Sequence, residues 1–139
     1  MTLRVVVCDG EPHVIRAISL KFTRAGFEVL GAQDATTGLE LLHRTHPSLL
    51  ITDFTLPGMS GADLVRRVRQ DADLVDLPVI MLTARGLELS ETDELDDLDL
   101  SALMMKPFSP RELVVKAYEI LGFDSVPSTS AYRDSFSSI

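Results

Sequence analysis

Four residues able to do chemistry stand where four short apolar runs stop. Asp9 follows the run Leu3 to Cys8, and Asp53 follows Leu49 to Thr52. Thr83 closes Val79 to Thr83, and Lys106 follows Ala102 to Met105. A lone aspartate at the end of a strand is ordinarily a loop cap. Two carboxylates, a hydroxyl and an ammonium ending four strands of one parallel sheet would meet outside the same sheet edge, where open α/β sheets bind ligands. The chemistry that fits this set is transfer of a phosphoryl group to a carboxylate. An aspartate oxygen can attack phosphorus and form an acyl phosphate. The transferred group spreads its charge over three oxygens, so positioning and electrostatics do most of the work. Asp9 and Asp53 suit magnesium, which takes carboxylate and carbonyl oxygens. Lys106 offers a mobile point charge for one phosphate oxygen, and Thr83 a hydrogen bond for another.

The elements that must hold these groups alternate. Leu3 to Cys8 is apolar after its first two residues, as in a strand buried on both faces. Pro12 suits the first turn of a helix, with Val14, Ile15, Ile18 and Phe22 at helical spacing and Gly26 as its stop. Glu28 to Ala32 reads as a second strand. Asp34 caps a short helix with Leu39 and Leu42 inward, broken by Pro47 and Ser48. After the third strand, Leu56 to Met59 reads as a turn, and Ser60 caps a helix whose Leu64, Val65 and Val68 share a face. Pro78 opens the fourth strand. A leucine-spaced acidic segment with Leu95 and Leu98 follows, then the fifth strand. Ser109 to Glu112 is a capping box, and the helix it starts carries Leu113, Val114, Ala117, Ile120 and Leu121 before Gly122 ends it. Five strands alternating with five helices predict an α/β fold, one parallel sheet covered on both faces with right-handed crossovers.

The 139 residues fit one domain over residues 1–123, and residues 124–139, rich in serine and without a period, read as a mobile tail. No apolar run reaches a membrane span, no leader pattern opens the chain, and its one cysteine, Cys8, leaves no internal disulfide, so the expectation is a cytoplasmic chain. The net charge of −8 repels nucleic-acid phosphates and argues against direct binding to them. Seven of the 21 acidic residues lie between Glu88 and Asp99 with no Lys or Arg among them, which marks a solvated face or a local interaction surface. His13, His43 and His46 share no helical face and have no cysteine partner, so zinc is not expected. Cys8 reads as core, as does at least one of Met104 and Met105.

With these residues in place, the chain from about residue 3 to residue 122 resembles the receiver domain of two-component response regulators. The resemblance rests on Asp9-Gly10-Glu11-Pro12, on Asp53-Phe54-Thr55-Leu56-Pro57-Gly58-Met59-Ser60-Gly61, on Met81-Leu82-Thr83-Ala84 and on Lys106-Pro107-Phe108. It implies a flavodoxin-like sheet with its strands in the order 2-1-3-4-5. By position, Asp53 resembles the phosphoacceptor and Asp9 one of the acidic pair that binds magnesium. The Thr55 carbonyl resembles the third metal ligand, the Ala84 amide a phosphate contact, and Lys106 the phosphate-binding lysine. Thr83 resembles the hydroxyl that turns toward the phosphoryl group. The Lys106–Pro107 bond is typically cis in the family, which would aim the lysine inward.

Two positions depart from the family pattern. Gly10 stands where the second acid normally is and offers the metal no side chain. Weaker magnesium binding is the expected result, with the longer Glu11 as a candidate substitute. Leu103 stands three residues before the lysine, where an aromatic ring usually swings inward as the threonine moves. Any switching through Thr83 and Leu103 therefore needs a different readout, and ordinary strand packing is the simpler expectation for Leu103.

The function this predicts is a stand-alone receiver. A histidine kinase or phosphotransfer protein would phosphorylate Asp53, and the face formed by the acidic segment, the fifth strand and the last helix would then bind or release a downstream protein. Such a domain takes part in its own phosphorylation chemistry without being an enzyme in the usual sense. The rival is a pseudo-receiver, a phosphorylation-independent interaction module, which Gly10 and Leu103 favour. An aspartate-nucleophile phosphatase is a weaker third reading, because the chain has neither a substrate-covering insertion nor a further acid–base group.

Overall fold

The computed structural model describes residues 3–84 and 95–123. In chain order its elements are β1 (Leu3–Cys8), α1 (Pro12–Arg24), β2 (Phe27–Ala32), α2 (Ala35–Thr45), β3 (Leu49–Asp53), α3 (Gly61–Gln70), β4 (Val79–Thr83), a 3-10 turn (Asp96–Leu98), β5 (Ala102–Met105) and α4 (Pro110–Ile120). The strands form one five-stranded sheet in the order β2-β1-β3-β4-β5, and every pairing is parallel. The expected strand order and two-faced architecture are thus present. The second strand starts one residue before its expected position, at Phe27, whose ring is buried. Four α-helices and the 3-10 turn occur among the described residues. Most of the acidic segment, Glu88 to Glu94, and the tail from Asp124 lie outside them.

Adjacent residues of each strand feed opposite cores, because successive side chains point to opposite faces. Val6, Cys8, Leu50 and Met81 pack with Leu41 and Leu42 of α2 and with Leu64, Val65 and Val68 of α3. Val5, Val7, Leu49, Ile51, Ile80 and Leu82 pack with Ile18 and Phe22 of α1 and Leu113, Val114 and Ala117 of α4. Burying one such side chain contributes about 1.5–3 kcal/mol. This is why the central strands are continuous apolar runs rather than alternating ones. Leu103 joins the first core and Met104 the second, while Met105 is 57% exposed on the edge strand.

The ends of the helices are set locally. Asp34 accepts the Thr37 amide at 2.7 Å, Ser60 accepts that of Asp63 at 3.0 Å, and Ser109 accepts those of Arg111 and Glu112. Each cap satisfies amides that the first turn leaves without a partner. α1 has no side-chain cap and begins instead with Pro12, which has no amide hydrogen to satisfy. No helix among the described residues is long and apolar enough to cross a membrane.

Candidate functional site

Strand register brings the four predicted residues to the same edge of the sheet, within two steps of one another. Cys8 pairs with Thr52, so Asp9 and Asp53 each stand one step beyond the same rung. Asp53 pairs with Leu82, and Thr83 pairs with Met105, which puts Lys106 one step past Thr83. Backbone bonds continue the ladder past the strands: Asp9 N donates to Ala32 O at 3.0 Å, Phe54 N to Leu82 O and Lys106 N to Thr83 O at 2.8 Å each.

Three of the four side chains, those of Asp9, Asp53 and Lys106, meet over the sheet edge, while Thr83 does not line the cleft above them. Lys106 Nζ donates to Asp53 Oδ2 at 2.9 Å and to Asp9 Oδ2 at 3.0 Å. The remaining oxygens take backbone amides: Asp9 Oδ1 accepts from Glu11 N at 2.9 Å, and Asp53 Oδ1 from Thr55 N at 3.3 Å. Asp9, Asp53 and Thr83 are all buried. Burial alone would lower the Lys106 pKa; the hydrogen bonds and charges of Asp53 and Asp9 outweigh it and raise it. Lys106 therefore stays an ammonium. A cleft of about 540 Å³ opens over these groups, with Gly10, Thr55, Pro57 and Ala84 in its walls. The Lys106–Pro107 bond is cis. Under the floor, the buried Cys8 thiol is pushed up to about 12 by burial, with the Asp34 and Asp9 charges adding to the effect, so it stays protonated and unreactive.

The resemblance implies a divalent cation of the magnesium type. Two carboxylates drawn to one ammonium, with Thr55 in the same wall, form a hard oxygen donor set that fits it. The set is one acid short of a three-carboxylate site. Gly10 lines the cleft without a side chain, and no group of three His, Cys, Asp or Glu is spaced to hold a metal among the described residues. Glu11, the candidate substitute, has its carboxylate oxygen Oε2 3.2 Å from His13 Nε2 instead.

Several contributors carry no chemical side chain at the cleft, and nothing in their residue types signals a role. The Gly61 amide donates to Phe54 O at 2.7 Å, and a Cβ at Gly61 would run into the Asp53 carbonyl oxygen. Only a residue without a side chain lets α3 start this close to Asp53. The Glu11 amide orients Asp9, as any backbone amide at that place could. The spacing of Gly61 from Asp53 is visible in the sequence, but the close approach depends on how the chain turns at Gly58, whose φ is +80°.

The strand order and the gathering of functional groups at one sheet edge define a flavodoxin-like fold with its site at the carboxyl ends of the strands. The chain belongs to the response regulator receiver domain family, whose model matches residues 5–118. A putative response regulator from Chloroflexus aurantiacus is 32% identical with a TM-score of 0.79, and the match covers 87% of this chain and 98% of that one. The chemotaxis response regulator CheY4 of Vibrio cholerae shares the fold with a TM-score of 0.80 at 23% identity, over 86% of this chain and 99% of that one. The phosphate regulon transcriptional regulatory protein PhoB of Pseudomonas aeruginosa is 35% identical over 119 residues, 84% of this chain and 51% of that protein. The chain spans about half the length of the curated relatives it matches.

Proposed function

We propose that this receiver accepts a phosphoryl group on Asp53 from the phosphohistidine of a kinase or phosphotransfer protein. The observation that carries the reading is Lys106 Nζ bridging Asp9 and Asp53 at 3.0 and 2.9 Å, in a cleft that Thr55 and Ala84 also line. In the transfer, an Asp53 oxygen forms the new bond to phosphorus as the donor's P–N bond breaks, and the donor imidazole takes up a proton. Lys106 leaves Asp53 to pair with a phosphoryl oxygen. The Ala84 amide and the Thr83 hydroxyl hold the other oxygens. Magnesium, when bound by Asp9, Asp53 and the Thr55 carbonyl, would neutralise charge on the transferred group. The exchange takes place in the cytoplasm, and the phosphorylated domain signals to a downstream protein through the face that includes β5 and α4. Nucleic acid and membrane are not its partners.

A second reading, a phosphorylation-independent interaction module, is favoured by the bare Gly10 and by Glu11 pairing outside the carboxylate pair. Intact mass after incubation with acetyl phosphate and magnesium separates the two. The acceptor reading expects a gain of one phosphoryl group that disappears in EDTA and in Asp53→Ala. No gain from acetyl phosphate or from a panel of phosphorylated histidine kinases would leave the interaction module standing.

A further inference from the structure

The cleft over Asp53 and a neighbouring groove share a ridge, and Glu11 sits on it. Glu11 lines both, together with Lys106, whereas His13 lines only the groove, beside Pro107 and Phe108. The Glu11 backbone is tied to the acceptor site, because its amide donates to Asp9 Oδ1 at 2.9 Å. Its side chain is not: Oε2 rests 3.2 Å from His13 Nε2, and the two side chains are 59% and 68% exposed. An ion pair or hydrogen bond this exposed holds weakly, since water competes for both partners. Beside it, the cleft contains two carboxylates against one ammonium, an excess of one negative charge, and Gly10 lines it without a side chain. A Cβ built on Gly10 would sit in ordinary contact with Pro57 Cδ at 3.4 Å, Pro57 Cγ at 3.7 Å and Gln33 O at 4.0 Å, so a side chain could start there without a clash.

We propose that Glu11 is the third carboxylate of the magnesium site, standing in for the acid missing at position 10, and that His13 is a positioning residue that holds it out of the cleft. The inference rests on the phosphoacceptor reading and names how the metal is held in this particular chain. A divalent cation drawn to Asp9 and Asp53 offers Glu11 a stronger partner than an exposed imidazole. The side chain then turns about its own bonds, across the ridge and into the cleft that Gly10 also lines, while its amide keeps Asp9 in place. His13 and the cation compete for one carboxylate, so removing the imidazole tightens metal binding.

The test is a magnesium titration of the full chain at one fixed pH, followed by backbone NMR shifts of Gly10 and Asp53. His13→Ala is expected to tighten binding about two- to fivefold, the range an exposed pair can hold back. His13→Gln keeps a donor and is expected to stay near wild type. Glu11→Gln is expected to weaken binding by roughly tenfold, through loss of a carboxylate ligand, and to make His13→Ala silent. Gly10→Asp supplies the missing acid within ordinary contact distance, so it binds more tightly than wild type and also makes His13→Ala silent. An unchanged or weaker affinity in His13→Ala, or wild-type affinity in Glu11→Gln, overturns the proposal. Phosphoryl uptake on Asp53 with magnesium binding indifferent to Glu11 sinks this proposal alone. Glu11-dependent magnesium binding without any uptake sinks the acceptor reading alone.

Discussion

The two ends of the sheet each hold a half-buried cation, and they use it in opposite ways. At the carboxyl end of the strands, Lys106 spans two carboxylates from β1 and β3 with one ammonium. At the amino end, Arg69 of α3 spans the loops leading into β4 and β5. Its Nε donates to Leu98 O at 2.7 Å, Nη1 to Leu77 O at 2.7 Å and Val75 O at 3.0 Å, and Nη2 to Asp99 O at 3.1 Å. Burial lowers the Arg69 pKa against the raising charges of Asp99 and Asp76, yet guanidinium remains charged. A planar fork on four carbonyls has a fixed geometry and nowhere else to go. A point charge between two carboxylates can give one of them up to a phosphate or a metal. The fork suits a clamp, the point charge an exchangeable site.

Gly61→Ala should break the working end most severely. The added methyl meets the Asp53 carbonyl, which predicts a loss of about 3 kcal/mol in urea unfolding, the upper part of the usual overpacking range, together with loss of phosphoryl uptake. Arg69→Ala should break the clamp for about 2.5 kcal/mol, since four carbonyls lose a charged donor. Arg69→Lys should recover less than half of that, because a single ammonium cannot reproduce the fork. The loss in either Arg69 variant, measured against the unaltered chain, should be the same with and without magnesium.

Lys106→Met sharpens the contrast. It leaves two carboxylates facing each other in an open cleft and should cost about 2 kcal/mol, less than a fully buried broken pair. Unlike the loss at Arg69, this one should shrink when magnesium replaces the missing charge, read as a magnesium-dependent rise in Tm. A variant equally unstable with and without the ion would mean that Lys106 is a clamp too.

The smallest effect belongs to the amino end, where His43 Nε2 and Asp71 Oδ2 lie 2.6 Å apart. The His43 hydrogen bond, with the Asp73 amide, holds the Asp71 carboxyl below its ordinary 3.8. A depressed folded-state pKa gives stability that is present above 3.8 and is lost as the pH falls through the lower folded value. His43→Ala should therefore lower Tm slightly at pH 5 to 6, with the gap closing toward pH 3. A gap that widened in acid would contradict the pairing.

Much of this molecule was legible along the chain. Ser60, Ser109 and Asp34 cap the helices they were expected to cap, because a cap is a bond between residues two or three apart. The apolar runs are the strands, because a strand buried on both faces leaves no polar positions inside it. Asp9, Asp53, Thr83 and Lys106 were visible as the polar residues that end those runs.

What the sequence determined by itself was therefore local: which residues form each element, where each element stops, and which side chains stand at the stops. Only the tertiary structure decided the partners of those side chains. Lys106 and Asp9 are 97 residues apart and meet through strand register. Arg69 reads as one more charge on a polar helix face until the loops at 75–77 and 98–99 fold around it. The same holds for Glu11, whose residue type qualifies it as a ligand while its side chain rests on His13. Short-range bonds are written in spacing, but the choice among long-range partners depends on distances that exist only once the sheet has closed its register.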